Sequence, residues 1–339
     1  MHLLKMPKIF LKLTVITVSF LVVACSESSG ELNQTYAQRL HNVLKFNDFE
    51  LKKPTTFPVQ HDKVDAHNST TIGMLELAQL QQCKLATLIA EHNNQLGKTA
   101  SAANILKYQI DFIQSANTCL APLEQNDELY KKIALTAEQK TIALPTFFKA
   151  MLNNEPEFKQ TWQLTSVHLA EDTAGFTETE QAMKEFAKLA EQISSGNVKN
   201  VDTESIVKNL QVLNQFNYNK LLISAARTQI SYNNQLTKLL TQFSSNELCP
   251  LNKNKQKART LSNIFKKFYL QQLQPYQSFL TGKLEALQPL YLQVWDDTSM
   301  HHYVSVSGEH AILEQLKQSA KSHVRWWQNF YKECEISPL

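Results

Sequence analysis

Glycine is scarce in this chain, with seven residues in a total of 339. Tight hairpin turns depend on glycine at positive φ, so a fold made of many strands and turns is disfavoured. Leucine, glutamine, lysine, alanine and glutamate are abundant instead, and all of them are good helix formers. The composition therefore predicts an all-α fold, in the form of a multi-helix bundle of long antiparallel helices.

Apolar residues recur at helical spacing along most of the sequence. The clearest stripe is the C-terminal one, for which Ser307 is the expected N-cap. Two capping-box patterns, Thr136 to Gln139 and Thr177 to Glu180, predict further helix starts. The C-terminal stripe consists of Ile312, Leu316, Ala320, His323 or Val324, Trp327 and Tyr331.

Two segments depart from the helical pattern. Trp162 to Leu169 contains tryptophan, threonine and valine, and His302 to Val306 alternates in polarity. Such residues favour strands. We expect the two segments to form at most one small two-stranded β pair.

A polar segment with one glycine, Ser194 to Asn200, is the best candidate for a linker. It would divide the chain into helical halves at residues 36–195 and 201–339. The length also allows one continuous domain.

The N-terminus has the pattern of an export signal. Three lysines lead into an apolar run from Leu13 to Ala24, which as a helix would reach about 18 Å and would not cross a hydrocarbon core of about 30 Å. The run ends in Val22-Val23-Ala24-Cys25, which resembles a bacterial lipoprotein signal. That resemblance implies a signal peptide at residues 1–24, a lipidated Cys25 and a tether at residues 25–35. Plain secretion with cleavage elsewhere is the alternative.

The same resemblance implies a destination. Ser26, rather than aspartate, stands at the second mature position, which implies forwarding to the outer membrane, with the protein lipid-anchored and facing the periplasm. Loss of the three leader lysines leaves 31 of the 34 basic side chains against 31 acidic ones. The net charge of the mature chain is then zero, which disfavours a nucleic acid as partner.

Four cysteines follow Cys25. An even number in an oxidising compartment indicates disulfides. The midpoint between Cys83 and Cys119 falls in the expected turn at Gly97 to Ser101, so two antiparallel helices would bring these two cysteines level. Cys249 would then pair with Cys334. Zinc is the alternative, but no pair of cysteines has the C-x2-C spacing of a structural zinc site.

A family resemblance also appears in these regions. The chain is similar to an uncharacterised family of Gram-negative envelope lipoproteins, defined only as a domain of unknown function. The resemblance implies a helical, exported protein with paired cysteines, and it implies no activity or ligand. It is carried by Gly73 to Leu77, Cys83, Glu91 to Gly97, Tyr108, Phe112, Cys119, Gln274 to Tyr276 and Trp327 to Cys334.

A polar run from Glu91 to Gln95 ends an otherwise apolar helix and makes His92 and Asn93 candidate binding residues. Glu91 and His92 together could act as an acid and base pair. Adjacent helical residues, however, point about 100° apart, and polar residues commonly cover a helix end that precedes a glycine. The structural interpretation of this run is therefore favoured.

Four histidines in the C-terminal part could ligate a metal ion: His301, His302, His310 and His323. They lack the i, i+4 spacing of a helical metal pair and the H-E-x-x-H arrangement, so we predict no metal site. The sequence also lacks a G-x-S-x-G elbow, a glycine-rich phosphate loop and a dinucleotide fingerprint. We predict no catalytic residues and no cofactor.

Trp326 stands next to the core-facing Trp327 but off the apolar stripe, so it is expected to face solvent or a partner. Together with the missing catalytic patterns, this favours a non-enzymatic helical binding or scaffold protein of the cell envelope, with an envelope protein as its possible partner. The alternative is a periplasmic hydrolase or metal-dependent enzyme that acts on cell-wall or lipid material.

Overall fold

The computed structural model describes residues 29–46, 50–57, 74–80, 83–94, 97, 99–121, 123–124, 127–250 and 254–337. These residues form α-helices and one π-helix and no strand, so the all-α prediction is confirmed. No helix among them is both long enough and apolar enough to cross a membrane. The helices are α1 (Ser29–Leu44), α2 (Met74–Gln79), α3 (Lys84–Asn93), α4 (Ala102–Leu120), α5 (Glu128–Asn154), α6 (Pro156–Thr161), α7 (Phe176–Ser194), α8 (Glu204–Phe216), α9 (Tyr218–Leu240), α10 (Ser245–Leu248), α11 (Gln256–Ile264), the π-helix (Phe265–Leu273), α12 (Gln274–Val294), α13 (His301–Val304) and α14 (Ile312–Glu333).

The largest hydrophobic cluster, here called the main core, draws on helices α4 to α9, on α12 and on the start of α14. Its biggest fully buried side chains include Phe158, Phe186, Tyr218 and Trp295. Burial of apolar surface on this scale is the main force that holds such a bundle together. Residues on both sides of the expected linker contribute to this one cluster, and the division at 36–195 and 201–339 stays a prediction.

A second cluster, here called the C-terminal core, joins α1 to α14. It contains Tyr36 from α1, Tyr232 from α9, Tyr269 from the π-helix and Trp327 from α14, all buried. A third, smaller cluster lies between α3, α4 and the start of α5. The N-terminal helix is therefore packed against the C-terminal helix rather than projecting from the fold.

The predicted β pair is wrong. Residues 163–169 are irregular because the backbone of Thr165 bonds to a helix side chain and not to another strand: its N–H donates to Ser224 Oγ at 2.9 Å, and its carbonyl accepts from the same hydroxyl at 3.2 Å. The first three residues of the other segment belong to the short helix α13, and Ser305 and Val306 follow it as irregular backbone. Gln288 donates to the carbonyls of Val304 and Ser305, at 3.3 and 3.1 Å, where a strand partner was expected.

Two predicted helix starts are also misplaced. Thr136 lies inside α5, which begins at Glu128 and is capped by Asp127, whose carboxylate accepts from Leu129 N–H at 2.7 Å. The Thr136 hydroxyl donates to the carbonyl of Lys132 at 2.7 Å, a bond that a helical interior also allows. The C-terminal helix begins at Ile312 and not after Ser307.

The start of α1 limits the length of the tether. The helix begins at Ser29, inside the expected tether of residues 25–35, so only residues 26–28 separate it from Cys25. Cys25 itself and the leader lie outside the described residues.

Candidate binding cleft

The four remaining cysteines lie in two pairs, and these are the predicted ones. Cys83 at the start of α3 and Cys119 in α4 have Cα atoms 5.7 Å apart. Cys249 after α10 and Cys334 after α14 have Cα atoms 5.6 Å apart. Both separations suit a disulfide. The second pair would fasten the end of α14 to the segment after α9.

His92 and Asn93 do not converge on a site. The His92 ring stacks on Tyr108 with 3.8 Å between ring centroids, and burial together with the nearby charge of Lys140 lowers the pKa of the imidazole. Burial also lowers the pKa of Lys140 to about 8, and its ammonium donates to Gln109 Oε1 at 2.6 Å. Asn93 is exposed. The structure gives His92 a packing role between α3 and α4.

Trp326 is half-buried rather than free. Its ring stacks on Phe330 with a centroid distance of 5.6 Å and meets Trp327 edge-on at 4.9 Å. It therefore lies at the edge of the C-terminal core, where its outer surface remains accessible.

The histidines considered as metal ligands are spread over the fold. His302 and His310 have ring centroids 5.5 Å apart, His301 lies 3.7 Å from an oxygen of Asp296, and His323 is buried in the C-terminal core. Over the described part of the chain, no group of three or more His, Cys, Asp and Glu side chains is placed to hold a metal ion.

His323 belongs to a buried chain of hydrogen bonds. Thr237 donates its hydroxyl proton to the carbonyl of Asn233 at 2.7 Å, so at the 2.9 Å contact with His323 it must accept from Nδ1–H. Nε2 is then the acceptor, and Tyr36 donates to it at 3.0 Å. The indole of Trp327 donates to the Tyr36 oxygen at 3.1 Å. The indole N–H is shared with His323 Nε2, 3.3 Å away, so Nε2 is an acceptor in both contacts and the chain requires a neutral imidazole.

Burial explains the electrostatics of this chain. It lowers the pKa of His323 to about 3, and it raises the pKa of Tyr36 well above its usual range. The side chains that face the imidazole are the aromatic rings of Tyr36, Phe265, Tyr269 and Trp327 and the hydroxyl of Thr237, and none of these is charged near neutral pH. The network holds α1, α9 and α14 together.

A cleft of about 190 Å³ lies beside the first turn of α1. It is lined by Gly30, Glu31 and Gln34 of α1, by one face of α9, and by two non-helical segments, 50–57 and 163–169. We call these segments the first rim and the second rim. Lys53 in the first rim is exposed, and Val167 in the second rim is 63% exposed.

Side chains of α9 fix the first rim in place. Gln235 accepts from the N–H of Lys52 at 2.9 Å and donates to its carbonyl at 2.8 Å. Ser231 donates to the same carbonyl at 3.1 Å. Bonds of this kind satisfy the polar groups of a backbone that has no helical or strand partner.

Arg227 of α9 ties the two rims to each other. It is buried, and its guanidinium donates to the carbonyl of Thr55 in the first rim and, at 3.3 Å, to the carbonyl of Trp162, the residue directly before the second rim. The guanidinium also lies 3.4 Å from the ring centroid of Phe57. Burial lowers its pKa to about 10, so the group stays charged at neutral pH.

The cleft has a mixed charge. Lys53 is the cationic residue of the lining and Glu31 the acidic one, and Arg227 lies outside the lining. Burial lowers the pKa of His168, and the charge of Glu31 opposes this shift across the cleft. Near neutral pH the imidazole is therefore largely uncharged.

The size and chemistry of the cleft indicate what it can hold. Its volume is below the range of about 300–1,000 Å³ that is typical of small-molecule pockets, so it suits a small polar group rather than a whole cofactor. Hydroxyl groups of Thr165, Ser166 and Thr228 are in the lining beside Lys53. Such a surface can bind a small anionic or hydroxylated group.

Sequence reasoning missed this cleft. Its lining residues come from four separate stretches of the chain and carry no local motif. The signal nearest to it in the sequence is the stretch from Trp162 to Leu169, which was expected as a strand, and nothing in the sequence showed that α9 brings it together with residues 50–57.

Comparison with known proteins gives a family and no activity. A family model described as a protein of unknown function, DUF3080, matches residues 33–338. The matched range includes all four paired cysteines, both rims and α9. No curated protein and no solved structure matches the chain.

Proposed function

We propose a function for this chain, which belongs to the DUF3080 family. The proposal is drawn from the residues of the chain itself: the protein is a lipoprotein that is anchored in the outer membrane through Cys25 and faces the periplasm. It binds an envelope component without catalysis. The family resemblance indicated by its motifs is confirmed, and the family supplies no activity of its own.

The use of cysteine carries this proposal. Cys25 ends a segment that resembles a lipoprotein signal, and the other four cysteines lie in two pairs at disulfide distance. Disulfides persist in oxidising compartments such as the periplasm and are rare in the cytosol. The lipidation signal and the two cysteine pairs both favour the periplasmic side of the inner membrane.

The cleft supports the binding part of the proposal. Its rims are fixed by side chains of α9, so little ordering would be needed when a ligand binds. Trp326, with its accessible edge, is a second candidate contact for an envelope protein.

Cell fractionation tests the anchor with two adjacent substitutions. The unaltered chain should be found with the outer membrane, and Cys25→Ala should remove it from that fraction because no acceptor for the lipid remains. Ser26→Asp is the matched control: it keeps the cysteine and should shift the protein to the inner membrane. If the Cys25→Ala variant were still found with the outer membrane, the proposal would be contradicted.

A further inference from the structure

We propose that the rims of the cleft lie against the membrane that holds the Cys25 lipid, and that the cleft takes the headgroup of an anionic phospholipid from that membrane. This inference rests on the proposed function, because it requires the anchor at Cys25. It adds an orientation for the folded domain and a chemical class of ligand.

The short connection between the anchor and the fold carries the first step. Gly30 lines the cleft, and it is five residues from Cys25. A fully extended chain of that length spans at most about 18 Å, so one wall of the cleft must stay within that distance of the lipidated cysteine. Most orientations of the domain that satisfy this limit place the start of α1, and with it the cleft, near the membrane surface.

The surface of the rims suits a lipid interface. Val167 is exposed on the second rim, and Lys53 is exposed on the first, on either side of the same cleft. A single exposed valine is ordinary on a protein surface. Here, however, the backbone around it is fixed to Ser224 through Thr165, so the side chain is held outward. An apolar side chain beside a basic one is the combination by which proteins rest on anionic membranes.

The polar groups of the lining suit the phosphate of a headgroup. Lys53 is the cationic side chain of the lining and Glu31 its one carboxylate, while the buried Arg227 lies outside the lining. The ammonium of Lys53 can pair with a phosphate group, and the hydroxyl groups of the lining can bond to its oxygens. The volume of about 190 Å³ suits a headgroup and not a complete lipid.

Photocrosslinking in vesicles tests the inference on the full-length lipidated protein. The photoreactive residue benzoylphenylalanine replaces Val167 in one variant and Ile142 in a matched control. Ile142 is also an exposed β-branched residue, at 73%, but it lies on α5, which packs on α4, α6 and α7 and not on α1. Vesicles of phosphatidylethanolamine with phosphatidylglycerol are illuminated, and phospholipid adducts are measured by mass spectrometry.

We expect the Val167 variant to form severalfold more phospholipid adduct than the Ile142 variant. Lys53→Ala should lower the adduct yield at position 167 by up to about fivefold, the factor for one basic residue near an anionic surface. Lys188→Ala, at an exposed position of α7, should leave the yield unchanged. Replacing phosphatidylglycerol by phosphatidylcholine should reproduce the effect of Lys53→Ala.

Equal adduct yields at positions 167 and 142 would overturn the orientation. Indifference to both Lys53→Ala and the phosphatidylglycerol content would overturn the assignment of the headgroup. In cells, capture of a protein and no lipid at position 167 would show a protein partner at the rims instead. Flotation of the protein with the vesicles is scored separately: a protein that does not float has no anchor, which is a failure of the proposed function and not of the orientation.

Discussion

At the scale of single residues, the neutral state of His323 is the most consequential feature of the C-terminal core. The imidazole links Tyr36 in the first helix to Thr237 in α9, through bonds of 3.0 and 2.9 Å. Protonation would place a second proton on Nε2, which must accept from Tyr36, and a charge in an uncharged, aromatic surrounding. The fold therefore opposes protonation of this residue.

The pH dependence of stability should report this residue. Its pKa is about 3 in the folded protein, against an ordinary 6.5, so between these values the unfolded chain binds the additional proton. The contribution of His323 to stability is complete above pH 6.5 and is lost as the pH falls, at about 1.4 kcal/mol per pH unit. Urea unfolding at a series of pH values measures this slope.

One substitution isolates the contribution of His323. His323→Gln keeps hydrogen-bonding capacity without an ionisable group. It should reduce the change of unfolding free energy with pH by about 1.4 kcal/mol per pH unit, which corresponds to one proton. An unchanged slope in His323→Gln would mean that the imidazole is protonated within the folded state.

At the scale of elements, α9 organises its surroundings through polar side chains rather than through apolar packing alone. Arg227, Ser231 and Gln235 lie at intervals of four residues and bind the first rim, and Ser224 binds the second. A helix with this pattern can hold irregular segments in a fixed form, because their backbone groups gain partners that water would otherwise provide.

Removal of the central arginine should release the first rim. In Arg227→Met, the carbonyls of Thr55 and Trp162 lose their donors, and the backbone amides of residues 50–57 should exchange hydrogen about tenfold faster or more. Hydrogen exchange with mass spectrometry measures the change. Arg325→Met, at an exposed position of α14, is the control and should alter nothing in this segment. Unchanged protection of 50–57 in Arg227→Met would show that the rim does not depend on Arg227.

The two cysteine pairs should contribute comparable stability if both are oxidised. The closed loops span 36 and 85 residues, for which the chain-entropy estimate is about 4 kcal/mol and between about 4 and 5 kcal/mol. The double variant Cys249→Ala, Cys334→Ala should therefore be less stable by about 4 kcal/mol or more in denaturant unfolding. The unaltered protein in a reducing agent should lose at least as much. No loss in either experiment would mean that these thiols are free in the native protein.

The sequence predicted the helices well and their ends less well, for physical reasons. The stripe of α14 was visible because its buried residues repeat at the helical period. The capping box at Thr136 failed because a threonine hydroxyl bonds to a carbonyl inside a helix as readily as to an N–H at its start. The pairing of Cys83 with Cys119 could be predicted from the sequence because the two cysteines lie at equal distances along the chain from one turn.

The cleft could not be predicted from the sequence in this way. Its first rim is held by a bond between Lys52 and Gln235, which are 183 residues apart, and neither residue type is distinctive. Polar contacts over such separations depend on the complete packing of the helices. His323 shows the same limit: the stripe left open whether His323 or Val324 faces the core, and its partner Tyr36, at a separation of 287 residues, was not predicted.

At the scale of the whole molecule, the first and last described helices, α1 and α14, are packed together. α1 begins four residues after Cys25 and is joined to α14 by the buried chain of hydrogen bonds, and the end of α14 lies at disulfide distance from the segment after α10. A pull on an N-terminal anchor would therefore act on the C-terminal core and not on a loose tail. The cleft lies at the same end, beside the first turn of α1.

The central claim is that the mature protein begins at a lipidated Cys25, and intact-mass and N-terminal peptide mass spectrometry of the protein purified from the cell envelope tests it most directly. We predict a first peptide that starts at Cys25 and carries the mass of a diacylglyceryl group and an amide-linked acyl chain, with no peptide from residues 1–24. A mature chain that starts at another residue, or an unmodified Cys25, would contradict the claim and with it the orientation proposed for the cleft.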